Sequence, residues 1–364
     1  MPSAKTRPPS LAERLKARIA AEGPISIEEY MRSCLLDARD GAYAARNPIG
    51  AKGDFVTAPE ISQIFGELLG LWCVSVRQAM GEPTNVTVAE LGPGRGTLMA
   101  DALRAWKAAP NFTQHVSVAL IEASLLLAER QRETLSGTSV PVRWHGDLSA
   151  VPEGALIVIA NEFIDALPVR QFVRRGRVWR ERMVTNAAQD GFAFADGPNA
   201  DDVSLAGREG SEGAICETRP AAERLVGELA RRAARAPLAA LILDYGHDKP
   251  GFGDTLQAVR GHRFADPLAA PGEADLTAHV DFAALKEAGE AAGLAAYGPM
   301  PQGEFLLRLG LGERRERLMQ DATPKQRDAI ASGALRLVAP AQMGVLFKAL
   351  AFASRGLAPP PPFA

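Results

Sequence analysis

Apolar positions along the chain fall into runs whose period separates helices from strands. Ile61, Ile64, Phe65, Leu68, Leu69 and Trp72 recur every three or four positions behind Pro59, which predicts an amphipathic helix from Pro59 to Trp72. Pro24 divides two further helical patterns, Leu11 to Ala21 and Ser26 to Ala38, and Ser26 with Glu29 has the spacing of a capping box. A loop rich in Gly, Pro and Asn spans Gly41 to Ala58. Strands and helices then alternate: strand Val86–Val88, helix Thr97–Trp106, strand Val116–Glu122, helix Leu125–Leu135, strand Pro141–Trp144, strand Ala155–Ala160. The last of these has no polar position, as a parallel strand covered on both faces requires.

After Val169 the period drops to two. Gln171 to Val184 alternates around Gly176 and predicts a β-hairpin, while 186–215, rich in Gly, Asp and Asn, reads as a loose insertion. The βα rhythm resumes with helix Pro220–Ala236, strand Leu238–Asp244 and helix Phe282–Ala292. The last third adds strands near Glu304–Leu309 and Val345–Leu350 with a helix at Glu313–Thr323 between them. The Pro-rich end, Pro359–Ala364, is expected to fray. The expected fold is α/β, a Rossmann-like doubly wound sheet. Its parts are an N-terminal helical segment over 1–80, a cofactor-binding half over 81–170 and an inserted hairpin and loop over 171–219. The remainder of the core spans 220–352 and the tail 353–364.

Charge and composition narrow the class. Lys and Arg number 41 against 43 Asp and Glu, a net charge of −2, which gives no global reason to expect nucleic-acid or membrane binding. No apolar run approaches the ~18 residues that span a bilayer. The three cysteines, Cys34, Cys73 and Cys216, form no C-x-x-C pair, and the five histidines show no metal-ligand spacing, so a reducing compartment and no metal are expected. Met1 to Arg18 has several basic residues but no apolar core of a signal peptide, which points to the cytoplasm, or to the mitochondrial matrix in a eukaryote.

The chemistry is concentrated in Glu90-Leu91-Gly92-Pro93-Gly94-Arg95-Gly96-Thr97, where the first strand turns into its helix. The spacing differs from the G-x-G-x-x-G dinucleotide fingerprint, and a carboxylate sits inside it. A pyrophosphate wants helix-terminal N–H groups and is repelled by a carboxylate. S-adenosylmethionine carries an amino group and a sulfonium, both cationic, so Glu90 favours it over NAD. Glu122, one βα unit on, has two readings: a ligand of the ribose hydroxyls, or an acidic helix-start residue. Asp147, followed by Leu148, either caps the adenine end or is a turn aspartate.

Asn161-Glu162-Phe163-Ile164-Asp165 follows the most apolar strand, where polar groups face the crevice. Glu162 and Asp165 can grip a cationic substrate such as a guanidinium, or Asn161 and Asp165 cap a following helix. His247 closes the next strand and is a candidate proton acceptor as well as a structural histidine. Asp54 to Glu60, with Thr57 and Pro59, is a candidate polar loop over the cofactor mouth. Arg174, Arg175, Arg177, Arg180 and Arg182 read as a docking patch or as the solvated face of the hairpin.

Gly53–Gly66, Glu90–Thr97, Asn161–Pro168, Leu243–His247 and Asp275–Phe282 closely resemble the MidA-like family, S-adenosylmethionine-dependent methyltransferases that act as complex I assembly factors in mitochondria, with bacterial relatives. The resemblance runs from about residue 10 to residue 352. It implies a class I methyltransferase fold and methylation of arginine on a complex I subunit. By it, Glu90, Gly92, Gly94 and Gly96 match the cofactor turn, Glu122 the ribose carboxylate, and Asn161 and Glu162 the segment beside the methyl group. Residues 186–215 match no family string. The expected function is therefore methyl transfer to arginine on a protein partner, with Glu162 orienting the guanidinium and Asp165 or His247 assisting proton loss. The alternatives are an assembly chaperone without catalysis and a small-molecule methyltransferase. The oligomeric state stays open, a homodimer among the options.

Overall fold

The structure is a computed structural model that describes residues 7–45, 56–200, 205 and 207–363. The apolar runs meet in a central sheet. Its strand order is Val142–His145, Val116–Ile121, Val86–Leu91, Ala155–Asn161, Leu238–His247, Phe347–Ala353, Ala295–Pro301. The two-residue strand Val280–Asp281 adds alongside Leu238–His247. Phe347–Ala353 runs antiparallel to both of its neighbours, and the strands from Val142–His145 to Leu238–His247 are parallel. Val86–Leu91 and Ala155–Asn161 lie side by side although two strands separate them in sequence. Chain order reverses there, so the crossovers leave on opposite sides and a crevice opens beyond the strands' carboxyl ends.

Both faces are covered, as the fully buried Ala155–Asn161 demands. One face carries helices Gln63–Ala79 and Thr97–Trp106, which pack backbone to backbone: a Cβ added at Gly70 would sit 2.7 Å from the Ala102 Cα. The other carries Pro220–Ala233 and Phe282–Ala291. Each fully buried Leu, Ile or Phe of these faces contributes about 1.5–3 kcal/mol of transfer free energy.

Several expectations are corrected. The helix expected from Pro59 breaks at Ser62, whose backbone is extended (φ −156°, ψ 129°), giving Ala58–Ile61 and then Gln63–Ala79. The Ser62 hydroxyl accepts from the Ile64 amide and starts the second helix. Glu304–Leu309 is helix, within Gln302–Arg308, and the edge strand precedes it at Ala295–Pro301. Phe305 and Leu306 are both buried and Leu307 is exposed, so adjacent positions share a face, which a strand does not allow. The helix Pro324–Val338, capped by Thr323 and Gln326, was not anticipated.

Part of 186–215 is ordered sheet. Phe192–Asn199 pairs with Val178–Asn186, and with Arg170–Arg175, Ile215–Thr218 and Ile25–Ser26 forms a five-stranded sheet. The N-terminal helices Leu11–Glu22 and Ile27–Leu36 pack on this inserted unit, with Tyr30 and Met31 in one apolar cluster with Val169, Val184 and Leu276. Ser26 and Glu29 make the expected capping box. Within the expected Gly41–Ala58 loop a short helix forms at Ala42–Ala45, and 46–55, including Asp54 and Phe55, lie outside the described residues. The tail does not fray up to residue 363: the Trp72 indole donates to the Pro361 carbonyl at 2.7 Å, and Phe363 packs on Phe305. The three cysteines are free and buried.

Candidate active site

The site begins where strand Val86–Leu91 stops. Gly92, Gly94 and Gly96 all have positive φ (61°, 55° and 80°), so the chain reverses within the turn and delivers Thr97 to the first position of its helix. Gly92 also needs its missing side chain: a Cβ there would lie 2.7 Å from the Phe163 ring. The turn, the ends of the neighbouring strands and the N-terminal segment enclose a cavity of about 380 Å³. Its walls include Glu90, Gly92, Pro93, Gly94 and Thr97 from the turn, Glu122 and Asp147 from the next two strand ends, and Asn161, Glu162 and Phe163 from the fourth. Leu36, Tyr43, Thr57, Pro59 and Glu60 close it from the N-terminal side.

Four polar groups set its electrostatics. Glu90 is only 3% exposed and its Oε2 has no hydrogen-bond partner among the described residues. Burial, and then the nearby Glu122, push its carboxyl up to about 8. Glu122 accepts from the Ser124 amide at 2.7 Å and from Gln131 Nε2 at 2.9 Å. Burial raises it and these bonds pull it back part of the way. Asn161 donates Nδ2 to Glu162 Oε1 at 3.1 Å, and its own Oδ1 is buried without a partner among the described residues.

Glu162 has φ 48°, a left-handed conformation that a residue with a Cβ rarely takes. Its Oε1 also accepts from the Ala58 amide at 2.8 Å, and burial pushes its carboxyl up to about 7. Arg336, on the helix Pro324–Val338, exerts a smaller downward pull on it.

Two buried acceptors, Glu90 Oε2 and Asn161 Oδ1, therefore await donors in one cavity. A cationic amine or a hydroxyl-bearing ligand satisfies them; a phosphate does not. The turn's one basic side chain, Arg95, is paired with Glu60 at 3.1 Å, and Thr97 Oγ1 donates to the same carboxylate at 2.5 Å. The lining residues fit a ligand with cationic and hydroxyl groups, such as S-adenosylmethionine.

Other candidates sit elsewhere. Gly96 caps the helix behind the wall. The Asp147 carboxylate stands at the mouth, exposed, and accepts from the Ser149 amide at 2.8 Å, whereas the Leu148 side chain is in the core under the sheet. Asp165 is buried away from the cavity. No helix follows for it to cap; its amide, with that of Ile164, donates to Asp244 Oδ2, and this holds the turn carrying Glu162. Burial raises both carboxyls above the usual range. The expectation that His247 faces the crevice is corrected. It borders a different cavity, with Nδ1 against the Lys249 carbonyl at 2.7 Å, because strand Leu238–His247 runs past the sheet edge to pair with Val280–Asp281.

The hairpin arginines are largely engaged by neighbouring groups: Arg175 with Asp196, Arg182 with Asp254 and over the Phe194 ring, Arg180 with the Gly197 carbonyl, Arg174 over Trp179.

The sequence reading missed Tyr43 and Gln131, and reached Glu60 and Phe163 only as members of longer segments. Gln131 had a usable signal: it falls four positions after Leu127 on the buried face of helix Leu125–Thr134, and a fully buried glutamine needs polar partners. It holds Glu122 and the Gly94 carbonyl together. Tyr43 has none, since only the folded chain brings it to the wall.

A family model described as "Putative S-adenosyl-L-methionine-dependent methyltransferase" matches residues 68–300. "Protein arginine methyltransferase NDUFAF7 homolog, mitochondrial" of Drosophila melanogaster is 39% identical, over 94% of this chain and 84% of that protein. "Protein arginine methyltransferase NDUFAF7, mitochondrial" of Homo sapiens is 36% identical, over 93% of this chain and 82% of that protein. A crystal structure from Burkholderia thailandensis, of a "likely methyl transferase" bound to S-adenosyl-homocysteine, superposes with a TM-score of 0.84 at 34% identity, covering 96% of this chain and 92% of that one.

Proposed function

We propose, for a chain that belongs to the S-adenosyl-L-methionine-dependent methyltransferase family whose model it matches, that the methyl group goes to an arginine side chain of a protein partner. The observation that carries this reading is Glu162. It is a carboxylate held at the end of the fourth strand in the cavity that contains Glu90, with its pKa near neutrality.

S-adenosylmethionine, when bound, supplies an electrophilic methyl group on a sulfonium. The rest falls to the chain. Arginine is protonated at neutral pH and its nitrogen lone pairs are delocalised, so one nitrogen has to be oriented and a proton removed. The Glu162 carboxylate pairs with the planar guanidinium, fixing the nitrogen that faces the methyl group. As the new C–N bond replaces the methyl group's bond to sulfur, whose electron pair would stay on sulfur, a carboxylate with a pKa near 7 can take the proton released from the nitrogen. Asn161, bound to Glu162 through Nδ2, keeps Oδ1 free for a donor on either ligand. Asp244 and Asp165 act one layer back, as positioning residues for the turn.

The partner we infer is a protein, with a respiratory complex I subunit as the first candidate by family resemblance. The relatives' names include "mitochondrial", and we place this chain in the matrix of a eukaryote or the cytoplasm of a bacterium. No helix among the described residues is long and apolar enough to cross a membrane.

Incubating the protein with methyl-labelled S-adenosylmethionine and a cell extract tests the reading. A labelled protein band that hydrolyses to methylarginine is expected. Label confined to small molecules overturns the protein substrate, and no label at all leaves a scaffold.

A further inference from the structure

From Ala329 to Phe347 the chain carries a single charged side chain, Arg336, although 23% of all its residues are charged. Burial does not account for this, because ten residues of the stretch are exposed. Leu335 is 58% exposed, Val345 48% and Leu346 45%, and Pro340 and Ala341 are exposed with them. They belong to two elements folded against each other, the second half of helix Pro324–Val338 and the tight turn Pro340–Gly344. The Gly344 amide donates to the Ala339 carbonyl at 3.0 Å, and Gly344 lies so close to the Val338 carbonyl that a Cβ would not fit. Val345 and Leu346 are thereby brought back beside the helix end. Single exposed leucines are ordinary; a grouped apolar face marks a place where another surface docks.

This face adjoins the active site. A Cβ added at Gly333 would sit 2.9 Å from the Ile61 carbonyl oxygen and 3.3 Å from the Ser62 Cβ, so helix Pro324–Val338 packs on the end of helix Ala58–Ile61. The other end of that short helix holds Glu162 through the Ala58 amide, one helical turn or about 5 Å away. Arg336 follows Gly333 by three positions, on the same side of its helix. It is exposed and pairs with no carboxylate among the described residues. Its charge nevertheless reaches the site: burial raises the Glu162 carboxyl, and Arg336 lowers it by a smaller amount.

The size and charge of the face select its occupant. A stable dimer uses about 20–30 residues a side, whereas ten exposed residues suit one short segment of a partner. The single unpaired cation calls for a carboxylate, which a guanidinium holds through two parallel hydrogen bonds.

We propose that this face docks the protein substrate beside its target arginine: apolar side chains of the substrate lie on Leu335, Val345 and Leu346, and an acidic residue pairs with Arg336. The proposal rests on the protein-arginine reading above and adds which residues flank the arginine that is chosen. A lysine or arginine in place of the acidic residue would meet Arg336 as a like charge, so the same contact rejects basic neighbours.

An oriented library of short peptides, each with a central arginine and random flanking positions, tests this when bound to the full chain with S-adenosylhomocysteine present. Sequencing the retained peptides should show Asp or Glu enriched severalfold at one position and Leu, Ile or Val at others. Arg336→Glu should turn the acidic preference into a basic one, and Val345→Ser/Leu346→Ser should remove the aliphatic one. These side chains are exposed, so melting temperature and S-adenosylhomocysteine affinity should match the wild type, which separates lost docking from lost folding. No enrichment by the wild type, or preferences that survive the substitutions, overturns the docking face. So does a dimer in sedimentation that Val345→Ser/Leu346→Ser dissolves, which would give the face to a second copy. Binding is read without turnover: if the retained peptides stay unmethylated when S-adenosylmethionine replaces S-adenosylhomocysteine, the methyl-transfer reading fails and the docking face stands.

Discussion

Glu162 and Ala58 meet across 104 positions of sequence: the Ala58 amide donates to Glu162 Oε1 at 2.8 Å. The bond ties the N-terminal segment to the turn that follows the fourth strand. It also occupies one carboxylate oxygen, Oε1; the other, which has no hydrogen bond among the described residues, is the acceptor of the proposed mechanism.

The pH dependence of turnover follows from this carboxyl. Its pKa is pushed up to about 7, so it is protonated below that pH and cannot accept a proton. The expected kcat/KM profile therefore falls about tenfold per unit below pH 7 and levels above it. Glu162→Gln should remove this limb and lower kcat by about 10²–10⁴-fold, with S-adenosylmethionine affinity changed little. A Glu162→Gln variant with wild-type turnover would remove Glu162 from the chemistry.

Glu90 makes a separate prediction about binding. Its carboxyl, pushed up to about 8, is mostly protonated at pH 7 in the free protein. A cationic ligand favours the carboxylate, so binding expels a proton and tightens as the pH rises toward 8. The same shift works against the free fold. The folded-state pKa lies above the ordinary 4.5, so the folded protein holds the extra proton between 4.5 and 8 and loses stability as the pH climbs through that window. Titrations in buffers of different ionisation enthalpy should show proton release in the wild type and a smaller release in Glu90→Gln, whose affinity should drop at least tenfold, about 1.4 kcal/mol. Heats that do not depend on the buffer would count against this account.

How much of this was legible in the sequence depends on the range of the interaction. The central strands and their helices declared themselves because burial on both faces, or on one, writes a local period; helix Thr97–Trp106 ends where its pattern ends. Glu90, Gly92 and Glu122 were readable because a strand end, a turn and the next strand end are close in sequence as well as in space. What failed was non-local. Phe305 and Leu306 form too short an apolar run to separate helix from strand. Phe192–Asn199 is polar enough to pass for a loop, and becomes a strand because Val178–Asn186 offers it an edge. His247 ends a strand, as read, but the strand runs on past the crevice.

The glycine of the turn can be tested through its neighbour. Gly92→Ala places a methyl 2.7 Å from the Phe163 ring, in a backbone conformation with φ 61°. The strain costs about 1 kcal/mol or more, and the displaced ring narrows the cavity that both residues line. The expected result is a folded protein whose S-adenosylmethionine affinity is at least tenfold weaker, with partial recovery in Gly92→Ala/Phe163→Leu. If the double variant binds no better than Gly92→Ala alone, the ring contact is not the cause.

The last prediction concerns the Pro-rich end, whose composition argues for disorder and whose contacts argue against it. Pro361 offers its carbonyl to the indole of Trp72, a residue 1% exposed in helix Gln63–Ala79, and Phe363 lies 5.7 Å from Phe305, ring to ring. Without the tail the indole N–H loses its acceptor and the buried Phe305 loses a covering ring. Removing residues 358–364 should therefore destabilise the fold by about 2–3 kcal/mol, the sum of one hydrogen bond and one partly buried aromatic ring. Trp72→Phe removes the donor and also leaves a cavity where the rest of the indole packed, so it should cost about 2–4 kcal/mol, and the two changes together should cost less than their sum because they act on one contact. Chemical denaturation of the three variants measures all of these values. Additive losses would mean that the tail stabilises the protein by some route other than Trp72.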